Sequence, residues 1–110
     1  MDSILTSVKK DLGIAEEYEH FDSDIIRHIN SVFMILRQIG VGPTKPFTIT
    51  DKYDLWSDFL ESDDMEAVKS YVYLKVRVIF DPPSSSGALE SMNRLISEYE
   101  FRLNVAAELK

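Results

Sequence analysis

The chain has no cysteine among its 110 residues. That excludes disulfides, thiolate metal sites and cysteine nucleophiles together, and it fits a reducing compartment. Histidine is almost as scarce, with His20 and His28 alone, so no nucleophile, base and orienting residue can be assembled into a catalytic set. Asp24 and His28 stand four residues apart and share a helix face, but a metal site needs further ligands at defined spacing, and none follows. The four glycines, Gly13, Gly40, Gly42 and Gly87, fall singly at the ends of periodic segments, which leaves no glycine-rich phosphate loop. The adjacent carboxylates Glu16-Glu17 and Asp63-Asp64 would point to different faces of a helix, whereas paired acid-base chemistry needs convergence. Enzymatic function and a bound cofactor are therefore not expected.

Long apolar runs are missing too. The longest, Val32-Phe33-Met34-Ile35-Leu36, is far short of the ~20 residues of a membrane-spanning helix. The opening Met1-Asp2-Ser3-Ile4 lacks a basic stretch followed by an apolar one, so a secretory signal is not expected and the default location is cytoplasmic. Positive charge is in short supply: 12 Lys and Arg face 19 Asp and Glu, for a net charge of −7. A basic face for gripping DNA is disfavoured by that balance. The acid is concentrated in residues 2–24 and 51–66, while Arg27, Arg37, Lys69, Lys75 and Arg77 make the helices between and after them lean basic. Acidic runs are ordinarily solvated loops and helix starts; a charge-complementary contact between subunits is the sharper alternative.

What is present is helical periodicity in a chain of one-domain length, able to bury roughly 65% of its unfolded surface. A first helix is expected from Asp2 or Ser3 to Leu12, with Leu5, Val8 and Leu12 on one face and Gly13 as its stop. After an acidic connector, Asp22-Ser23-Asp24 offers N-caps for a second helix. That helix carries the stripe Ile25, Ile29, Val32, Leu36 and Ile39 and ends at Gly40. Residues 41–54 hold Gly42, Pro43 and Pro46 and then Phe47-Thr48-Ile49-Thr50, the composition of a loop with room for one short extended segment or hairpin arm. Leu55 to Leu60 suits a single helical turn that folds Trp56, as a core anchor, and Phe59 onto the core.

Tyr71 to Phe80 is apolar almost all round. As a strand it would alternate Val72, Leu74, Val76, Val78 and Phe80 with Tyr73, Lys75, Arg77 and Ile79, and its β-branched content favours that pattern. The lead-in decides for a helix: Asp63-Asp64-Met65-Glu66-Ala67-Val68-Lys69 places acid at a helix start, then good helix formers with no turn residue before Tyr71. The helix should run from about Met65 to Phe80. It presents Met65, Val68, Val72, Val76 and Ile79 on one face and Tyr71, Leu74 and Val78 on another, so it needs cover on several sides. Pro82 and Pro83 stop it. Lys75 and Arg77 interrupt its apolar surface, either snorkelling to solvent or a core-edge carboxylate or pairing with acid on another subunit.

The last helix should start near Ser85 to Gly87 and continue almost to the end. Its stripe is Leu89, Met92, Ile96, Tyr99, Leu103 and Ala106, flanked by Leu95, Val105 and Leu109, with Glu90/Arg94 and Glu98/Arg102 pairs outside. About 22 residues make a rod of roughly 33 Å. Beside a domain radius of gyration of ~13 Å, such a rod is expected to overhang its own core and meet a neighbour. The fold class is therefore all-α: a small bundle of four to five helices in one domain over residues 1–110, with a long C-terminal helix and an irregular central loop.

With these residues in view, the chain resembles the head-tail connector proteins of tailed bacteriophages, the adaptor or head-completion family. The resemblance is carried by Val8-Lys9-Lys10-Asp11-Leu12-Gly13-Ile14, by Asp22 and Asp24-Ile25-Ile26, and by Val68-Lys69 with Tyr71-Val72-Tyr73-Leu74-Lys75-Val76-Arg77. It continues through Phe80-Asp81-Pro82-Pro83, its most specific piece, to Glu98, Glu100 and Arg102-Leu103. The resemblance implies a structural virion protein at the head-tail junction, assembled in the host cytoplasm as a ring of about twelve copies under the capsid portal. It also implies portal protein and tail or stopper proteins as partners, with DNA passing through the ring without sequence-specific binding and no membrane involved. Phe80, Asp81, Pro82 and Pro83 mark the corner between the last two helices, while Arg102, Val105, Leu109, Lys75 and Arg77 are candidate subunit or portal contacts. The alternative is a small helical protein-binding module or regulator acting through its C-terminal helix.

Overall fold

The computed structural model describes residues 2–109 as five helices: α1 (Ile4–Asp11), α2 (Asp22–Gln38), α3 (Trp56–Phe59), α4 (Met65–Phe80) and α5 (Ser86–Glu108). The apolar periodicity dictates the arrangement. α4, buried at Val68, Tyr71, Val72, Leu74 and Val76, lies between α2 and α5, with α1 against its remaining side. Its apolar circumference is thus covered largely within one chain. Ile79, assigned above to the buried stripe, is instead half-exposed. The domain is a slab with extents of 39 × 36 × 20 Å and a radius of gyration of 13.6 Å.

Local chemistry sets the helix ends. Ser3 Oγ accepts from the Thr6 amide at the start of α1, and Ser85 Oγ accepts from the Ala88 amide (3.0 Å) at the start of α5. α2 departs from expectation: Phe21 is its N-cap residue, without a side-chain bond, and Asp22 and Asp24 lie inside the first turn. There the carboxylates face the positive end of the helix dipole instead of capping it. Asp22 has a further reason to lie inside. Its Oδ1 is 2.8 Å from the ammonium of Lys9, a lysine 2% exposed that also donates to the carbonyls of Glu16 and Tyr18, each at 2.8 Å. One buried cation thereby fastens the acidic connector to α1.

The segment between α2 and α4 forms no hairpin, and among the described residues there is no β-sheet. Its extended backbone finds other partners. Asn30 on α2 accepts from the Ile49 amide through Oδ1 (2.8 Å) and donates to the Ile49 carbonyl through Nδ2 (3.1 Å), doing for that residue what a paired strand would do. Farther on, the Ile4 amide donates to the Asp54 carbonyl (3.0 Å) and the Trp56 amide to the Asp2 carbonyl (3.1 Å), an isolated antiparallel bridge between Ser3 and Leu55. Aromatic rings seal the loop down: Phe33 stacks on Phe59 at 4.5 Å, and Phe47 meets both rings edge-on at 5.3 Å. Trp56 is 3% exposed and donates to Ser7 Oγ (2.8 Å), so it anchors the core as expected.

Candidate functional site

α5 is the element whose sequence and surroundings fit least well. A 23-residue helix is about 34 Å long. Its C-terminal end is nevertheless docked against the end of α2. Asn104 Nδ2 donates to the Ile39 carbonyl (3.3 Å), and Ala107 packs over Gly40. The expected overhang of the helix end is therefore corrected: what lacks cover is a face. The inner face, with Ile96 and Leu103 buried and Met92 and Tyr99 packed beside them, rests on α4. The outer face carries Leu95, Phe101, Val105 and Leu109, which are 46, 69, 37 and 83% exposed.

Arg102 lies among these apolar residues, its Nη2 2.8 Å from Glu98 Oε1. Phe101, Arg102, Val105, Ala106, Leu109 and Glu98 line one shallow depression. The structure thus brings together Arg102, Val105 and Leu109 and adds Phe101, which the sequence reading passed over because it falls outside the α5 core stripe. The signal was present in the 3.6-residue period: Phe101 and Val105 are i, i+4 partners on the face opposite Leu103.

Lys75 and Arg77 stand elsewhere and have partners in their own chain. Tyr71, fully buried on α4, donates from its hydroxyl to Glu100 Oε2 on α5 (2.6 Å), and Lys75 Nζ lies 3.9 Å from the same oxygen. Burial, followed by the bond to Glu100, pushes the Tyr71 phenol above its ordinary value of 10.0. This part-buried contact ties the outer helix to the central one. Arg77 donates through Nη1 to Tyr73 Oη (2.8 Å) and through Nε to the Asp81 carbonyl (3.4 Å), which ties it to the C-terminal end of α4.

The Phe80-Asp81-Pro82-Pro83 corner joins α4 to α5. The Asp81 amide closes the last turn of α4 on the Arg77 carbonyl (2.8 Å), and Pro82 then blocks continuation. Phe80 packs edge-on against Phe21 at 5.3 Å and near His28 at 6.4 Å, so the corner is pinned to the start of α2. Asp24 pairs with Arg27 (3.1 Å), separately from the His28 ring. No group of three or more His, Asp or Glu side chains is placed to hold a metal ion among the described residues. None of the described helices is long and apolar enough to cross a membrane.

On the far side of α2 a second surface opens, a groove of about 460 Å³ between that helix and residues 46–48. Arg27, Met34 and Arg37 stand on one wall and Pro46 and Phe47 on the other, with Met34 56% exposed. Comparison with known proteins gives one match: a family model described as phage connector protein matches residues 4–110. Neither a curated protein nor a solved structure matches the chain.

Proposed function

Because the chain belongs to the phage connector protein family, we propose that it is the subunit of a head-tail connector ring seated under the capsid portal. In this reading the ring completes the filled head, gives DNA a passage and offers later tail or stopper proteins a platform. The observation that carries it is the uncovered apolar face of α5: Phe101, Val105 and Leu109 are exposed along one depression, with Leu95 exposed beyond Glu98 and Arg102. Such a face needs a protein to cover it. Arg102 at its centre, paired with Glu98, supplies the polar register that interface arginines provide. The face is accordingly the contact to a neighbouring subunit or to the portal, while Lys75 and Arg77, bound within their own chain, stiffen α4 beneath it.

Net charge bears on the passage. A subunit of charge −7 assembled in a ring would give a channel that repels phosphates instead of gripping them, which favours movement of DNA. A lumen lined mainly by lysine and arginine in the assembled ring would end that part of the proposal. The role as a whole is tested by mixing the chain with the portal protein of the same phage and weighing the product. Substituting Phe101 or Leu109 with glutamate should then weaken complex formation without unfolding the subunit.

A further inference from the structure

Building on the connector reading, we propose that the groove between α2 and residues 46–48 receives the Glu16–His20 loop of a second copy of this chain. The groove has an apolar middle and two cationic ends. Met34 from one wall and Phe47 from the other supply the apolar lining, and Arg27 and Arg37 stand ten positions apart on α2, about 15 Å along the axis. Arg37 Nε donates to the Thr44 carbonyl (2.8 Å), which holds its guanidinium at the groove mouth. Arg27 is engaged with Asp24 in an exposed pair, the kind that contributes little and exchanges readily. One carboxylate cannot answer two cations at that separation, so the occupant must carry several acids around an apolar or aromatic side chain.

The chain carries such a segment. Glu16, Glu17 and Glu19 surround Tyr18, whose ring is half-exposed. The loop is also held in shape, since the buried Lys9 ammonium donates to the carbonyls of Glu16 and Tyr18, and the Tyr18 ring leans on Phe21 at 5.9 Å. A loop already ordered loses less entropy on docking. Two copies of charge −7 repel overall, so association needs local complementarity of this sort to set the register. Loop and groove are different surfaces, which makes the contact head-to-tail, the kind that closes into a ring.

The absence of cysteine makes the test clean. A Tyr18→Cys/Met34→Cys variant, mildly oxidised, should give a ladder of covalent multimers that collapses on reduction, whereas each single variant stops at the dimer. Closure within one chain is out of reach, because the Tyr18 ring lies 5.9 Å from that of Phe21, just before α2, and residues 22 to 34 of that helix span about 18 Å, well beyond disulfide geometry. Tyr53 is more exposed than Tyr18 and lies outside the loop, so Tyr53→Cys/Met34→Cys measures random collision. The proposal expects the Tyr18 pair to form its ladder at least about tenfold faster, as local concentration at a docked site requires. Charge reversal supplies a second arm. Glu16, Glu17 and Glu19 to Lys in one variant, and Arg27 and Arg37 to Glu in another, should each abolish self-association, and mixing the two should restore it. A Tyr18 ladder no faster than the control overturns the docking and leaves the connector reading standing. A wild-type chain that gives no oligomer, alone or with portal protein, overturns both.

Discussion

Changing Tyr71 to Phe removes a single oxygen from the centre of the fold. The ring stays buried between α4 and α5, so packing is unchanged, and the loss is the 2.6 Å bond to Glu100 Oε2. A hydrogen bond to a charged acceptor contributes about 1.5–3 kcal/mol. Glu100 is 37% exposed and keeps Lys75 at 3.9 Å, so the carboxylate is not stranded, and the lower end of that range, about 1.5 kcal/mol, applies. In a domain this size the melting temperature should fall by roughly 5 to 10 °C. The pH dependence is more specific. Burial and Glu100 raise the folded phenol above 10.0, so this tyrosine's contribution is complete below pH 10 and declines as pH rises toward the folded value, because the unfolded chain releases that proton first. The decline is about 1.4 kcal/mol per pH unit. Urea titrations followed by the single tryptophan, Trp56, at about pH 8 and about pH 11 would measure it. Lysines and the other tyrosines titrate in both proteins, so the difference between wild type and Tyr71→Phe isolates the one phenol. A difference that does not shrink between those two pH values, or a variant as stable as wild type, refutes the reasoning.

Other substitutions probe separate parts of the account. Lys9→Met should cost about 3–5 kcal/mol by stranding Asp22 and unfastening the acidic connector, and Asp22→Asn in the same chain should recover part of that loss in chemical denaturation. Gly42→Ala should cost about 2–4 kcal/mol, because its φ of +89° disfavours a side chain and the new Cβ would lie 2.5 Å from Phe59 Cζ; calorimetry reads the loss directly. Phe101→Glu and Leu109→Glu, both on the exposed face of α5, should leave stability within about 0.5 kcal/mol while weakening assembly in sedimentation experiments.

Periodicity carried much of the fold. The stripes that place α2 and α4 at the core follow from spacing alone, and the acidic lead-in to Met65 decided between strand and helix for a segment whose composition fits both. Side-chain capture of backbone groups was not legible. Nothing local to Asn30 announces that its amide will stand in for a strand at Ile49, nineteen residues away, and without that pairing the 47–50 segment reads as a hairpin arm. Lys9 could have been found, since it falls four residues after Leu5 on the apolar face of α1, where a lysine must bring its own acceptors. The outer face of α5 was half legible. Val105 and Leu109 were visible as flanking hydrophobes, but rod length suggested a protruding end, and only the docking of Asn104 and Ala107 turned the uncovered end into an uncovered face.

The central claim, a connector subunit whose exposed α5 face is covered on assembly, is tested most directly by native mass spectrometry of the purified chain mixed with its phage's portal protein. The account predicts a closed ring or a stable portal complex, reduced by Phe101→Glu. A strict monomer, indifferent to the portal at every concentration tried, would contradict it.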